Sequence, residues 1–262
     1  MNYSFVLAAA SVAFFFVLLG AIRIGRALGR HSGAQDKGTA GSAAIEASVF
    51  ALLGLLIAFT FSGAAQRMAD RRNLLVAEVN AIGTAWLRID LLSAGDQPAL
   101  REQFRQYVDE RINYYRHVAD LDGRDAIAAK VGDIQKQIWR TSIAAAQNAV
   151  PPFAASYIGA VNDMFDVSTA QIVAQNVHPP AMTYLFLGFL ALICACLIGV
   201  NLADAKRDTW FHQIIYAIVM TAALYIIIDF EFPRIGAIRI DQSDALLTAQ
   251  RESMGDPTAA RR

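Results

Sequence analysis

The stretch ASVFALLGLLIAFTFSGAAQ, residues 47–66, carries no charged side chain, and Arg67-Met68-Ala69-Asp70-Arg71-Arg72-Asn73-Leu74-Leu75 follows it without a proline or a turn cluster. The sequence therefore reads as one helix over residues 44–94 that begins in lipid and ends in water. At about 1.5 Å per residue such a helix is about 75 Å long, against a hydrocarbon core of roughly 30 Å. Beyond the charged residues the apolar pattern does not stop. Leu74, Leu75, Val79, Ile82, Trp86, Ile89 and Leu92 recur at three- and four-residue steps and form a stripe.

Three other uncharged runs have spanning length: Tyr3–Ile22, the run after Pro179-Pro180 to Ala203, and Thr209–Ile228. The first has no basic residues ahead of it and is too long for a signal peptide, so it reads as an anchor. The composition agrees. Hydrophobic residues make up 55% of the chain, mean hydropathy is +0.36 and formal net charge is zero. A neutral, strongly apolar chain points to the lipid bilayer and away from nucleic acid, which selects basic patches.

The segment between spans two and three reads as helical. Gly95-Asp96-Gln97-Pro98 looks like a stop and a start, with Gly95 as a left-handed C-cap, Asp96 as the next N-cap and Pro98 in the first turn. Leu100, Phe104, Tyr107, Val108 and Tyr115 share one side of the following helix. Asp122-Gly123 reads as the next break. Ile127, Val131, Ile134, Ile138 and Trp139 then repeat at helical spacing up to Pro151-Pro152. A last helix, Ala154–Gln175, turns Tyr157, Val161, Met164, Phe165 and Ile172 inward. No segment alternates for long with period two. The fold class expected is therefore an all-α membrane protein with four transmembrane helices and a helical bundle inserted between spans two and three. The expected division is residues 1–66 (two spans), 67–178 (the bundle), 179–230 (two spans) and 231–262. The last part should hold a turn, a brief extended stretch at Ile238-Arg239-Ile240, a helix capped by Asp241 or Ser243, and a tail.

Chemistry-bearing motifs are sparse. No nucleophile elbow, His-Glu-x-x-His, Walker loop or dinucleotide fingerprint occurs. His31, His117, His178 and His212 are scattered and read as surface or interfacial side chains. Cys194 and Cys196, two apart on a helix, face different directions. No enzyme, cofactor or metal is expected. Glu46 at the entrance of the second span, and Asp229 and Glu231 at the exit of the fourth, read as interfacial groups solvated by water or headgroups; the sharper reading makes Asp229 and Glu231 part of an ion vestibule.

Two faces stand out in the spans. Ala51, Leu55, Phe59 and Ser62 lie at steps of four, four and three on one side of the second span. Around an axis of several copies, that face would form an apolar constriction that gates by dewetting. Its ordinary reading is packing against a neighbouring span. Gly188, Ala191, Ala195 and Gly199 form a small-residue stripe on the third span, suited to close helix approach.

Residues 52–67 (LLGLLIAFTFSGAAQR), Arg71-Arg72, and Glu78–Arg88 (EVNAIGTAWLR) resemble the bacterial bestrophin-like domain family of unknown function. Tyr107 through Arg111, Asn162-Asp163-Met164 and the Asp229-to-Gly236 turn are similar to its later blocks. The resemblance implies a relation to bestrophins: pentameric four-span anion channels whose second span lines an apolar neck and runs into an Arg-Trp-Trp segment. Aligning that arginine with Arg67 puts the neck at Ala51, Leu55 and Phe59, the face already found, and makes Arg67 a vestibule or gating residue beside Asp229 and Glu231. Met68 and Ala69 stand where both tryptophans would be. The expected function is thus an oligomeric ion channel for small anions in the bacterial inner membrane, multi-pass. The alternative is a non-conducting scaffold or sensor. The side of the helical domain stays open. The uncharged start of the first span favours an outside N-terminus, which puts the domain outside the cytoplasm, whereas the resemblance implies a cytoplasmic domain.

Overall fold

A computed structural model describes residues 3–31, 40–117, 121–203, 210–232, 236 and 241–255. Its helices are α1 (Tyr3–His31), α2 (Ala40–Arg88), α3 (Gln97–Arg116), α4 (Leu121–Gln147), α5 (Pro151–Asn176), α6 (Ala181–Asn201), α7 (Trp210–Glu231) and α8 (Asp241–Ser253). No strand occurs among the described residues. The protein is all-α, with four helices long and apolar enough to cross a membrane. The expected extension at Ile238–Ile240, the turn at Pro233–Ile235, the tail from Asp256, and the side chains of Asp241 and Ser243 lie outside what is described.

The helix α2 is unbroken through Phe61–Leu75 and is 49 residues long, about 74 Å at the ideal rise. It ends at Arg88 and not at Ala94. A 3₁₀ turn over Ile89–Leu91 follows, and Leu92 is extended (φ −88°, ψ 165°), which takes the chain out of helix. Gly95 is not a left-handed cap, because Gly255 is the only described residue with positive φ. Asp96 occupies the N-cap of α3 but its side chain makes no capping hydrogen bond; its carboxylate accepts from Asn148 Nδ2 (3.3 Å). Pro98 does sit in the first turn of α3. Asp122-Gly123 is not a break but falls in the first turn of α4. The chain leaves α3 earlier, at His117, whose N–H bonds back to the carbonyls of Asn113 and Tyr114 (both 3.2 Å). Pro151-Pro152 opens α5, where a missing N–H leaves no bond unmade.

The described chain forms two compact units. In the unit of residues 1–68 and 178–238, α1 packs on α6 and α7. Leu18, Ile22, Leu53, Ala191, Cys194, Ala195 and Ala217 form one buried cluster, and Ala64, Leu187, Leu224 and Ile227 a second. Close approach of α1 and α6 explains their glycines. A Cβ at Gly25 would lie 2.0 Å from the Cys196 carbonyl oxygen, and one at Gly199 2.1 Å from that of Ile22. Gly29 faces Val200 and Ala203 in the same way. The small-residue stripe on α6 thus packs as expected, with Ala191, Ala195 and Gly199 buried and Gly188 against the Phe14 ring. Its partner, Gly25-x-x-x-Gly29, has the spacing that lets helix backbones approach in lipid. Both cysteines are free thiols.

In the unit of residues 69–177 and 239–262, the C-terminal part of α2 joins α3, α4, α5 and α8 around one core. Leu75, Ile82, Trp86, Leu100, Phe104, Tyr107, Tyr157, Met164 and Leu247 are among its buried members. At this end of the chain, α8 is fastened to α3. The Arg251 guanidinium donates to both oxygens of Asp109 (2.8 and 3.1 Å), and Arg105 donates to the carbonyls of Met254 and Gly255 (3.2 Å each).

Candidate functional site

The face of α2 singled out by spacing is open in the chain. Leu55 is 52% exposed and Phe59 66% exposed, and Ala51 and Ser62 are exposed with them. Leu53 and Ala64, on the other side of the helix, are buried at 1% and 0%. Within one chain, therefore, the Ala51–Ser62 stripe does not pack against a neighbouring span; the opposite face does. The local reason is composition. Leu53, Leu56, Ile57 and Ala64 interlock with the residues of α1, α6 and α7, while the stripe pairs the bulky Phe59 with the small Ala51 and Ser62.

At the end of this span, Arg67 and Glu231, both named from sequence, meet. Arg67 Nε donates to Glu231 Oε1 (2.8 Å), and Arg67 Nη2 makes a second, shorter contact with the same oxygen. The guanidinium folds back over Gly63, where a Cβ would stand 3.2 Å from Nη1, so the glycine leaves room for it. Asp229 is 0% exposed and Glu231 1%. The interfacial reading of this pair is thus wrong: α7 continues through Glu231 and turns both carboxylates into the unit. Asp229 packs against the Gly236 backbone, where an added Cβ would meet Oδ1 at 2.3 Å. His178 Nδ1 lies 3.6 Å from Glu231 Oε2, and its ring stacks on Phe232 (centroids 4.8 Å). Tyr3, from the start of α1, contacts the same Phe232 ring (4.9 Å). A buried carboxylate is tolerable only with bonded partners, and Arg67 supplies them to Glu231. Glu46, at the other end of α2, accepts a 2.6 Å hydrogen bond from Asn201 Nδ2 and is only half-buried.

Spacing did not reveal a second polar cluster, in the other unit. Arg111 and Glu78 are both fully buried. Arg111 Nε donates to Glu78 Oε1 (2.5 Å), Arg111 Nη2 to Tyr115 Oη (2.9 Å), and Tyr115 Oη to Glu78 Oε2 (2.5 Å). The guanidinium also lies over the rings of Tyr114 (5.1 Å) and Tyr115 (4.9 Å). Burial works against its charged form, but Glu78, Tyr115 and Tyr107 more than offset that and hold its pKa above the ordinary arginine range. Burial pushes the neighbouring Tyr107 hydroxyl up as well. Both residues lie in the blocks Glu78–Arg88 and Tyr107–Arg111 that carry the family resemblance, which was the available signal.

Arg71 is also a buried charge. It donates from Nε to the Ala174 carbonyl (3.0 Å) and from Nη2 to that of Val177 (2.9 Å). These carbonyls close the C-terminus of α5, where the helix dipole favours a cation. Among the described residues no group of three His, Cys, Asp or Glu side chains is placed to hold a metal ion.

Comparison with known proteins fits this layout. The bestrophin-like domain family matches residues 5–245. The chain belongs to the bestrophin-like family. Solved structures of a bacterial bestrophin homologue from Klebsiella pneumoniae, each with a single substitution, share the fold of this bestrophin-like protein. One is 14% identical with a TM-score of 0.65, covering 91% of this chain and 96% of its own. Another is 15% identical with a TM-score of 0.65, covering 92% and 97%. A structure described as a membrane protein is similar at 14% identity, a TM-score of 0.65 and 94% and 98% coverage. Among curated proteins none matches.

Proposed function

We propose that this bestrophin-like protein is an oligomeric ion channel of the bacterial inner membrane, crossing it several times and passing small anions. The Ala51–Leu55–Phe59–Ser62 face of α2 lines its neck. The observation that carries the proposal is that this face is left open by the subunit while the opposite face of the same helix is buried. A closed ring of copies is the arrangement that would bring one α2 face per subunit to an axis. There, Leu55 and Phe59 form a dry constriction whose barrier falls when its side chains are shortened. Arg67, held by Glu231, stands a little over two turns beyond Phe59 and offers a positive charge next to the constriction. Glu231 serves as the buried anchor that fixes it, with buried Asp229 two residues before it on α7.

The test is anion efflux from liposomes containing purified protein. Wild type is expected to conduct weakly, and Phe59→Ala to raise the flux several-fold. A monodisperse oligomer that shows no flux in either form overturns the channel reading, and a monomer in detergent favours a non-conducting scaffold.

A further inference from the structure

The first span ends in a basic face that the neck does not use. Ala9, Phe16, Arg23 and Arg30 fall at every seventh residue of α1, so they share one side of the helix to within the drift of about 20° per heptad. All four are exposed. The uncharged run Tyr3–Ile22 rises about 30 Å, the thickness of the hydrocarbon core. Ala9 and Phe16 therefore lie at the depth of acyl chains. Arg23 stands at the edge of the hydrocarbon and Arg30 about 10 Å beyond it, so the two guanidiniums bracket the headgroup layer. The same end of this unit exposes a tryptophan. Tyr3, at the start of α1, contacts Phe232, just past the end of α7 (4.9 Å). The two helices pack together, so they run antiparallel and the start of α7 lies at the arginine end. That start is Trp210, 57% exposed, a residue type that collects at headgroup level.

The positive charge on this face is not cancelled. Among the described residues neither Arg23 nor Arg30 pairs with a carboxylate; Arg30 Nε donates to the Ala203 carbonyl (3.4 Å), which ties the side chain to the end of α6 but leaves its charge. Arg26, half-buried beside them, is partnered within the protein. Glu46, the carboxylate described at this end, accepts from Asn201. The adjoining residues 32–39 and 204–209 contain as many acidic as basic side chains.

We propose that Arg23 and Arg30 hold the phosphate of an anionic phospholipid of the phosphatidylglycerol class, whose acyl chains run along Phe16 and Ala9. The order of the face names the occupant. Apolar side chains lie at acyl depth and two arginines at phosphate depth, and arginine suits phosphate oxygens by its planar fork of donors. A free phosphate ion would make no use of Phe16, and a zwitterionic lipid would bring its own cation beside the guanidiniums. The proposal needs only the membrane-spanning unit and is independent of the channel reading.

Native mass spectrometry of the full chain, released from detergent with equal excesses of phosphatidylglycerol and phosphatidylcholine of matched acyl chains, counts the lipid retained. At about fivefold per arginine, wild type should favour phosphatidylglycerol by about twentyfold. Arg23→Gln with Arg30→Gln should bring the two lipids close to parity. Either single substitution should weaken the preference about fivefold and stands in for the double variant if that does not assemble. Arg140→Gln, an exposed position on α4 in the other unit, should leave the preference unchanged. Equal retention of both lipids by wild type, or an unaltered preference in the arginine variants, would overturn the proposal. Loss of the preference on adding inorganic phosphate, but not sodium chloride of equal ionic strength, would make this a free-anion site and overturn the lipid assignment. A wild type without lipid preference whose subunit count falls in the arginine variants would make the face a contact between copies and overturn it as well.

Discussion

Replacing Glu78 with Leu should destabilise the soluble unit severely, while replacing Arg111 with Met at the same time should restore most of the loss. Both side chains are 0% exposed, so water cannot screen the charge left behind. Removing one member of such a pair costs about 3–5 kcal/mol. The Tyr115 hydroxyl, which donates to Glu78 at 2.5 Å, loses its acceptor as well, a penalty of about 1–3 kcal/mol that overlaps the first. A total of about 4 kcal/mol is expected for Glu78→Leu. The double variant has no orphaned charge and should lie within about 2 kcal/mol of wild type. The coupling energy between the two positions should therefore exceed about 2 kcal/mol. Denaturant unfolding in detergent can be followed by tryptophan fluorescence, since Trp86 and Trp139 belong to this unit's core. The pair should hold across the usable pH range. A raised arginine pKa gives stability that is present below the ordinary value and lost only as pH climbs through the elevated one. A cost below about 1 kcal/mol for Glu78→Leu, or a double variant as damaged as the sum of the singles, would refute the reasoning.

Alkali should destabilise the fold through Tyr157: burial raises its hydroxyl from 10.0 to about 12, so stability is intact below the ordinary tyrosine value and falls as pH rises from there through the folded one. Melting temperature against pH should show this fall, and Tyr157→Phe should flatten it while lowering the plateau through loss of the 2.7 Å bond to Ser142. Gly25→Ala should cost on the order of 3 kcal/mol or abolish monodisperse protein in size-exclusion chromatography, because its Cβ would sit 2.0 Å from the Cys196 carbonyl oxygen. Gly20→Ala, with nothing within 4 Å of the new Cβ, should behave as wild type. Arg71→Met should lower thermal stability by about 2 kcal/mol, since it leaves two carbonyls at the end of α5 without their charged donor.

The spans and the long helix were legible because uncharged runs and an unbroken apolar stripe are local signals. The small-residue stripe on α6 was legible for the same reason. Its partner Gly25-x-x-x-Gly29 was not, because it lies among basic residues at the end of α1, where hydropathy says little about packing. Asp229 and Glu231 looked interfacial from their distance to the end of an apolar run. Their burial depends on Arg67 and Gly236, which arrive from other parts of the chain. The pairing of Glu78 with Arg111 joins positions 33 apart and has no periodic signature at all. Gly95 and Asp96 show the opposite failure. Residue types suited to caps were present, but the turn after Arg88 already satisfies the chain through Ile89–Leu91 and the 2.9 Å bond from Gln97 Nε2 to the Leu92 carbonyl.

The open face of α2 is expected to meet a conducting path. Phe59→Cys, in a background with Cys194 and Cys196 replaced by Ala, offers one thiol per subunit at that face. Flux through liposome-reconstituted oligomers should fall sharply when a bulky thiol reagent is added. A matched Phe16→Cys protein, altered on an exposed part of α1, should be unaffected. Conducting oligomers in which complete labelling of the Phe59→Cys variant leaves the flux unchanged, or in which labelling of the Phe16→Cys variant blocks equally well, would contradict it.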